Sequence, residues 1–205
     1  GEIVGEEYVP LNQLDFQSEL AKIAAAKPDA IFTFMPGGLG INLVKQYRQA
    51  GLTGIPFLSN FTVDESVLPA EGDAALGFLT GADWTPDLDN PANKQFVAAF
   101  EKKYSYVPGS YAAQAYDTAL LIDSAIRAAG GADDRAKLRA ALEKADFASV
   151  RGHFKFGTNH YPVEDFYLAQ VAKRPDGKYQ TEMREKVFSD DVDPFAAQCA
   201  MSHAP

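Results

Sequence analysis

The chain of 205 residues has one cysteine, Cys199, and three histidines, His153, His160 and His203, which show no metal-ligand spacing with one another or with acidic partners. An internal disulfide and a Cys/His metal cluster are thereby excluded, and no cysteine pairing fixes the redox compartment. Positive charge is also in deficit: 19 Lys and Arg face 28 Asp and Glu, a formal charge of -9. That balance repels phosphate backbones and anionic headgroups, which argues against nucleic acid or a membrane surface as partner. No apolar run approaches the roughly 20 residues needed to span a bilayer. There is no Gly-x-x-x-x-Gly-Lys-Ser/Thr loop, no Gly-x-Ser-x-Gly elbow and no Cys/His pair suited to nucleophilic attack. Catalysis, a metal and a cofactor are therefore all without support.

What is present is material for a core, with 46% of the residues hydrophobic, and a clear alternation of element signals. Ile3 to Val9 alternates as a strand does. Asp15 then stands as an N-cap before a helix whose apolar face is Phe16, Leu20, Ile23 and Ala24. Ala30 to Met35 predicts a buried strand, Gly37 and Gly38 a loop, Gly40 to Ala50 a helix stopped at Gly51, and Ile55 to Leu58 a second strand breaking at Ser59-Asn60-Phe61. Leu76 to Gly81 predicts a further strand. This order implies a parallel sheet with right-handed crossovers, and ligands of such sheets bind beyond the strand ends.

After Asp87 the pattern changes to three consecutive helices. Asn90-Pro91 caps and opens the first, with Phe96, Val97, Phe100 and Tyr104 on one face. Tyr111 to Ala129 follows, ended by Gly130-Gly131, and then Arg135 to Ala145. Strand signals return at Val150 to Phe156, Phe166 to Ala172 and, past the turn Pro175-Asp176-Gly177, Tyr179 to Phe188.

One enzyme-like reading competes. Gly38-Leu39-Gly40-Ile41-Asn42-Leu43 follows a strand and opens a helix, the setting of a dinucleotide loop. Leu43 replaces the third glycine, and Ser59-Asn60-Phe61 stands where an acid should meet the ribose, so two requirements fail.

The landmarks together resemble the type I periplasmic-binding fold, in the branched-chain-amino-acid-binding-protein-like branch of ABC-transporter substrate-binding proteins. The resemblance is carried by Asp15-Phe16, Pro28-Asp29-Ala30-Ile31, Lys45-Gln46 to Ala50-Gly51-Leu52, and Gly72-Asp73-Ala74-Ala75 to Gly77. It continues through Asn90-Pro91 to Phe96 and Phe100, Tyr111 to Tyr116-Asp117, and Arg151-Gly152-His153-Phe154. It implies two α/β lobes with parallel sheets, joined by a hinge, enclosing a small-molecule ligand for a membrane permease, in a periplasmic or extracellular protein.

By the same resemblance, residues 1 to 84 and 166 to 205 form the second lobe and residues 85 to 165 return to the first, whose own sheet has no counterpart here. A missing N-terminal segment is expected to cover helix faces that carry Phe96, Phe100, Leu121 and Ile126, and to hold any partner of Cys199. The implied ligand contacts are Met35, Pro36, Gly37 and Gly38 of the loop, Ser59, Asn60 and Phe61 of the corner, and Trp84 and Tyr111. Amino-acid-binding relatives place an acid at the position of Phe61, to pair with the ligand's ammonium. An apolar ring cannot do so, and a desolvated unpaired cation costs several kcal/mol. The expected ligand is therefore an aromatic or apolar carboxylate. An amino-acid binder and a ligand-sensing receptor domain are the alternatives. Core packing is the competing role for Phe61, Met35 and Trp84.

Overall fold

The computed structural model describes residues 1–200. The elements run α1 (Gln17–Ala26), β1 (Ile31–Thr33), α2 (Gly38–Gln49), β2 (Phe57–Ser59), α3 (Leu68–Glu71), β3 (Leu79–Ala82), α4 (Pro91–Tyr104), α5 (Ser110–Ala129), α6 (Arg135–Lys144), β4 (Lys155–Phe156), β5 (Pro162–Lys173) and β6 (Tyr179–Asp191). Two compact units emerge. The first holds Gly1–Ala82 and Leu168–Arg184, and the second holds Asp83–Tyr167 and the chain from Glu185.

In the first unit β1 pairs with β2 and β2 with β3, both parallel, with Ile31 opposite Phe57 and Leu58 opposite Leu79. The outer half of β5 joins this sheet through Gly77 and Phe78, whose backbones bond Val171 at 3.0 and 2.9 Å. The core is Phe16 and Leu20 of α1, Leu43, Val44 and Tyr47 of α2, and Phe57, Phe78 and Val171 of the strands. Tyr47 packs edge-on to Phe57 and Phe78, whose rings stack at 4.3 Å. Its hydroxyl donates to Ile55 O at 2.9 Å, and burial pushes its pKa up to about 12. Asp15 acts one residue outside the helix, its carboxylate accepting the Gln17 N–H at 2.9 Å.

In the second unit Asn90 caps α4 by accepting the Asn93 N–H at 2.8 Å, with Pro91 at the first helical position. Gly130 ends α5 in the left-handed conformation. Trp84, Leu88, Phe96, Ala113, Val150 and Tyr167 form the core. The helices α4, α5 and α6 belong wholly to this unit.

Several expectations are corrected. Residues 3 to 9 form no strand, because none of the described strands pairs with them; Ile3, Val4 and Tyr8 are 78%, 61% and 87% exposed. β1 is a three-residue edge strand and not a buried one, with Phe32 73% exposed. The sheets are mixed, since β4 runs antiparallel to β5. Of Val150 to Phe156 only Lys155 and Phe156 are ladder-paired, because Val150 and Arg151 are drawn into side-chain bonds with Asp117. Phe96 is covered from within its own unit by Trp84 and Tyr116, whereas Tyr104, Tyr106, Ile122 and Ile126 remain exposed.

Candidate functional site

The first unit gathers seven of the sequence-derived candidates at the carboxyl ends of β1 and β2. Gly37, at φ 64, turns the chain out of β1 and into α2, a conformation that L side chains resist. Met35 and Pro36 precede it and Gly38 opens the helix. On the neighbouring strand Ser59 is 2% exposed and its hydroxyl donates to Leu79 O at 3.2 Å, so its role is within the sheet. Asn60 lies at the corner, its N–H donating to Thr33 O at 3.2 Å. Phe61 sits at φ 56, a left-handed conformation rare for a bulky residue, and its ring meets Phe34 edge-on at 6.3 Å. Backbone strain of this kind costs on the order of 1 kcal/mol and concentrates where a surface is functional.

Two residues absent from the sequence-derived set build this corner. Thr62 is fully buried, and its hydroxyl accepts the Met35 N–H at 2.9 Å while lying 3.5 Å from Thr33 O. Gly40 lies so near that a Cβ there would run into Met35 O and stand 3.0 Å from Thr62 O. A single Thr after the corner carries no signal of this contact, which joins residues 27 apart; Gly40 was visible as a helix start and as part of a failed dinucleotide fingerprint, not as a contact of Thr62.

Beside the loop a cavity of about 300 Å³ is lined by Leu11, Asn12, Leu14, Pro36, Leu39 and Asn42, among others. Gln46 anchors the segment that walls it, accepting the Phe16 N–H at 2.7 Å and donating to Leu14 O at 2.8 Å. Deeper in the unit, Asp64, Glu65 and Glu71 are buried carboxyls. Burial, then the neighbouring Asp64, pushes Glu65 up to about 7 and Glu71 up to about 8. Glu65 accepts from the Thr181 N–H and hydroxyl, both at 2.7 Å. Both oxygens of Glu71 are buried without a hydrogen-bond partner.

The remaining candidates belong to the second unit. Trp84 is 1% exposed, and its indole N–H donates to Asn93 Oδ1 at 2.7 Å; within its unit it is a core residue. Tyr111, in the first turn of α5, is 58% exposed. Asp117, one of the residues that carry the family resemblance, is the centre of a polar network. It accepts from Ser149 Oγ at 2.5 Å, the Val150 N–H at 2.8 Å and Arg151 Nε at 3.3 Å, while Arg151 also donates to Glu164 at 2.6 Å and Asp83 at 3.5 Å. Among the described residues no group of three or more His, Cys, Asp and Glu is placed to hold a metal ion, and no helix is long and apolar enough to cross a membrane. Cys199 is exposed and free.

A parallel sheet with a glycine loop at its strand ends, in a chain of two α/β units, is the fold of the two-lobed binding-protein class. The chain belongs to the periplasmic binding protein family, whose model matches residues 1–178, and specifically to the type I, Leu/Ile/Val-binding-protein-like branch of ABC-transporter substrate-binding proteins. This is a transport family and not an enzyme family. The Leu/Ile/Val-binding protein homolog 6 of Brucella melitensis is 31% identical over 202 residues, covering 95% of this chain and 51% of the relative. An R. palustris ABC-transporter solute-binding protein, solved in complex with benzoate, superposes with a TM-score of 0.87 at 36% identity, over 98% of this chain and 54% of that one. A second, from Rhodopseudomonas palustris BisB5 in complex with 3,4-dihydroxy benzoic acid, gives 0.80 at 34% identity, over 91% and 52%. The chain thus spans about half the length of the relatives it matches.

Proposed function

We propose that the protein carrying this chain is the solute-binding component of an ABC importer, delivering an aromatic or apolar carboxylate to a membrane permease. The observation that carries the ligand class is Phe61. It occupies the strand-end corner in a strained conformation, and it supplies an aromatic face where an amine-binding site needs a carboxylate. Met35 and the Phe34–Phe61 pair extend that apolar surface, with Asn60 as its polar edge. Solved relatives above 30% identity that hold benzoate and 3,4-dihydroxy benzoic acid support the same reading. Pro36, Gly37, Gly38 and Tyr111 stay in the proposed contact set; Trp84, with its ring buried and its N–H bonded to Asn93, does not. The name of the Brucella relative keeps a branched-chain amino acid as the competing ligand.

The exposed side chains of α5, Ile122 and Ile126, and of β1, Phe32, are proposed to be covered by further polypeptide of the same protein.

Calorimetry of the intact protein against benzoate, 4-hydroxybenzoate and L-leucine tests the reading. Benzoate-type acids are expected to bind, and Phe61→Ala to weaken them by roughly 1 to 3 kcal/mol through lost ring contact. Phe61→Glu is expected to weaken them further, by adding a like charge. Tight L-leucine binding with no response to either benzoate overturns the ligand class and leaves the family assignment standing.

A further inference from the structure

We propose that Thr62 is the positioning residue of the ligand surface, locking the glycine loop to the Phe61 corner so that the two move as one body. The proposal rests on the reading that this surface meets the ligand. Both halves of the Thr62 side chain are used. Its hydroxyl accepts from the backbone N–H of Met35 at 2.9 Å and lies 3.5 Å from the carbonyl of Thr33, which also receives the Asn60 N–H at 3.2 Å. Its methyl lies 3.2 Å from where a Cβ on Gly40 would stand. One side chain, fully buried, therefore joins the end of β1, the loop after it and the first turn of α2 to the residue that follows Phe61.

Phe61 needs such a restraint. A bulky residue at φ 56 relaxes toward negative φ unless its neighbours fix the backbone on both sides. Asn60 is fixed from β1 by its N–H, and Thr62 is fixed by its own side chain. Without the hydroxyl the Met35 N–H loses its acceptor, the loop is freed from the corner, and the ring and the loop no longer present one preformed face.

Valine keeps the shape of Thr62 and removes the hydroxyl; serine keeps the hydroxyl and removes the methyl. The two variants are titrated in the intact protein with benzoate, and with L-leucine in a parallel arm. Thr62→Val is expected to weaken the bound ligand about tenfold, the scale of one buried hydrogen bond, and Thr62→Ser to stay within about threefold of the parent. Hydrogen exchange at the Met35 amide is expected to be slow in the parent and in Thr62→Ser, and fast in Thr62→Val. Unchanged binding by Thr62→Val, or equal losses in both variants, overturns the proposal. So does a fast-exchanging Met35 amide in the parent, a measurement that stands even if Thr62→Val fails to fold. A parent that binds L-leucine and not benzoate removes only the ligand class, and the same variants are then read on L-leucine. A parent that binds neither removes both.

Discussion

The two units contain opposite cases of a buried carboxyl. In the second, Asp117 is 2% exposed, but three donors reach it, and Arg151 extends the compensation to Asp83 and Glu164. In the first, Glu71 is 3% exposed with no hydrogen-bond partner for either oxygen, and Asp64 and Glu65 lie in the same stretch of chain. Burial disfavours the charged form of a carboxyl and donors favour it; Glu71 has burial without donors, so burial, then the neighbouring Asp64, pushes its pKa up. The second unit is therefore stabilised by a network that fails if one member is removed. The first contains groups whose burial makes its stability depend on proton concentration.

The largest expected effect is on the network. Arg151→Met removes the cation that pairs with Asp83, Asp117 and Glu164 and leaves buried acids uncompensated, an expected loss of roughly 3 to 5 kcal/mol in urea unfolding. A loss under about 1 kcal/mol would erase the contrast between the units.

Glu71→Gln comes next. Because its pKa is raised from 4.5 to about 8 in the folded state, the native protein holds a proton that the unfolded chain releases between those values. The contribution of Glu71 to stability is thus greatest below pH 4.5 and is lost as pH rises toward 8. The variant removes this slope: little change is expected at pH 5 and a gain on the order of a few kcal/mol at pH 9. Parallel pH profiles of parent and variant would show that Glu71 has a donor in solution.

The smallest effect on stability is expected at the corner. Phe61→Asn keeps a side chain but places there a residue that tolerates the left-handed conformation, so unfolding should change by no more than about 1 kcal/mol, with a gain as the expected sign. Benzoate affinity in the same variant should fall by tenfold or about that, because the ring is gone. Falls in both quantities would make Phe61 a packing residue.

The longer helices were legible because each carries its own signals, whereas the four-residue α3, Leu68–Glu71, is too short for an apolar period and was not. Asn90-Pro91 caps α4 and Gly130 ends α5 where local backbone chemistry alone requires them, and the 3.6-residue apolar spacing names their inner faces. The glycine loop and the break at Ser59-Asn60-Phe61 were legible for the same reason. Residues 3 to 9 were not: alternation marks a face that could be buried, but a strand exists only with a partner at its edge. Trp84 was ambiguous for a related reason. A lone large aromatic suits either a ligand or a core, and the bond from its indole N–H to Asn93 was not visible in the sequence.

What the sequence determined by itself was the order of most elements from α1 onward and the family to which the chain belongs. These depend on neighbours in the chain, on composition, or on motifs in a fixed order. What only the tertiary structure decided was which polar groups meet. Thr62 with Met35, Glu65 with Thr181, and Asp117 with Arg151 join residues 27, 116 and 34 positions apart. No local rule of propensity or periodicity contains such a pairing, because it arises when the packed apolar faces carry distant backbones within hydrogen-bond reach.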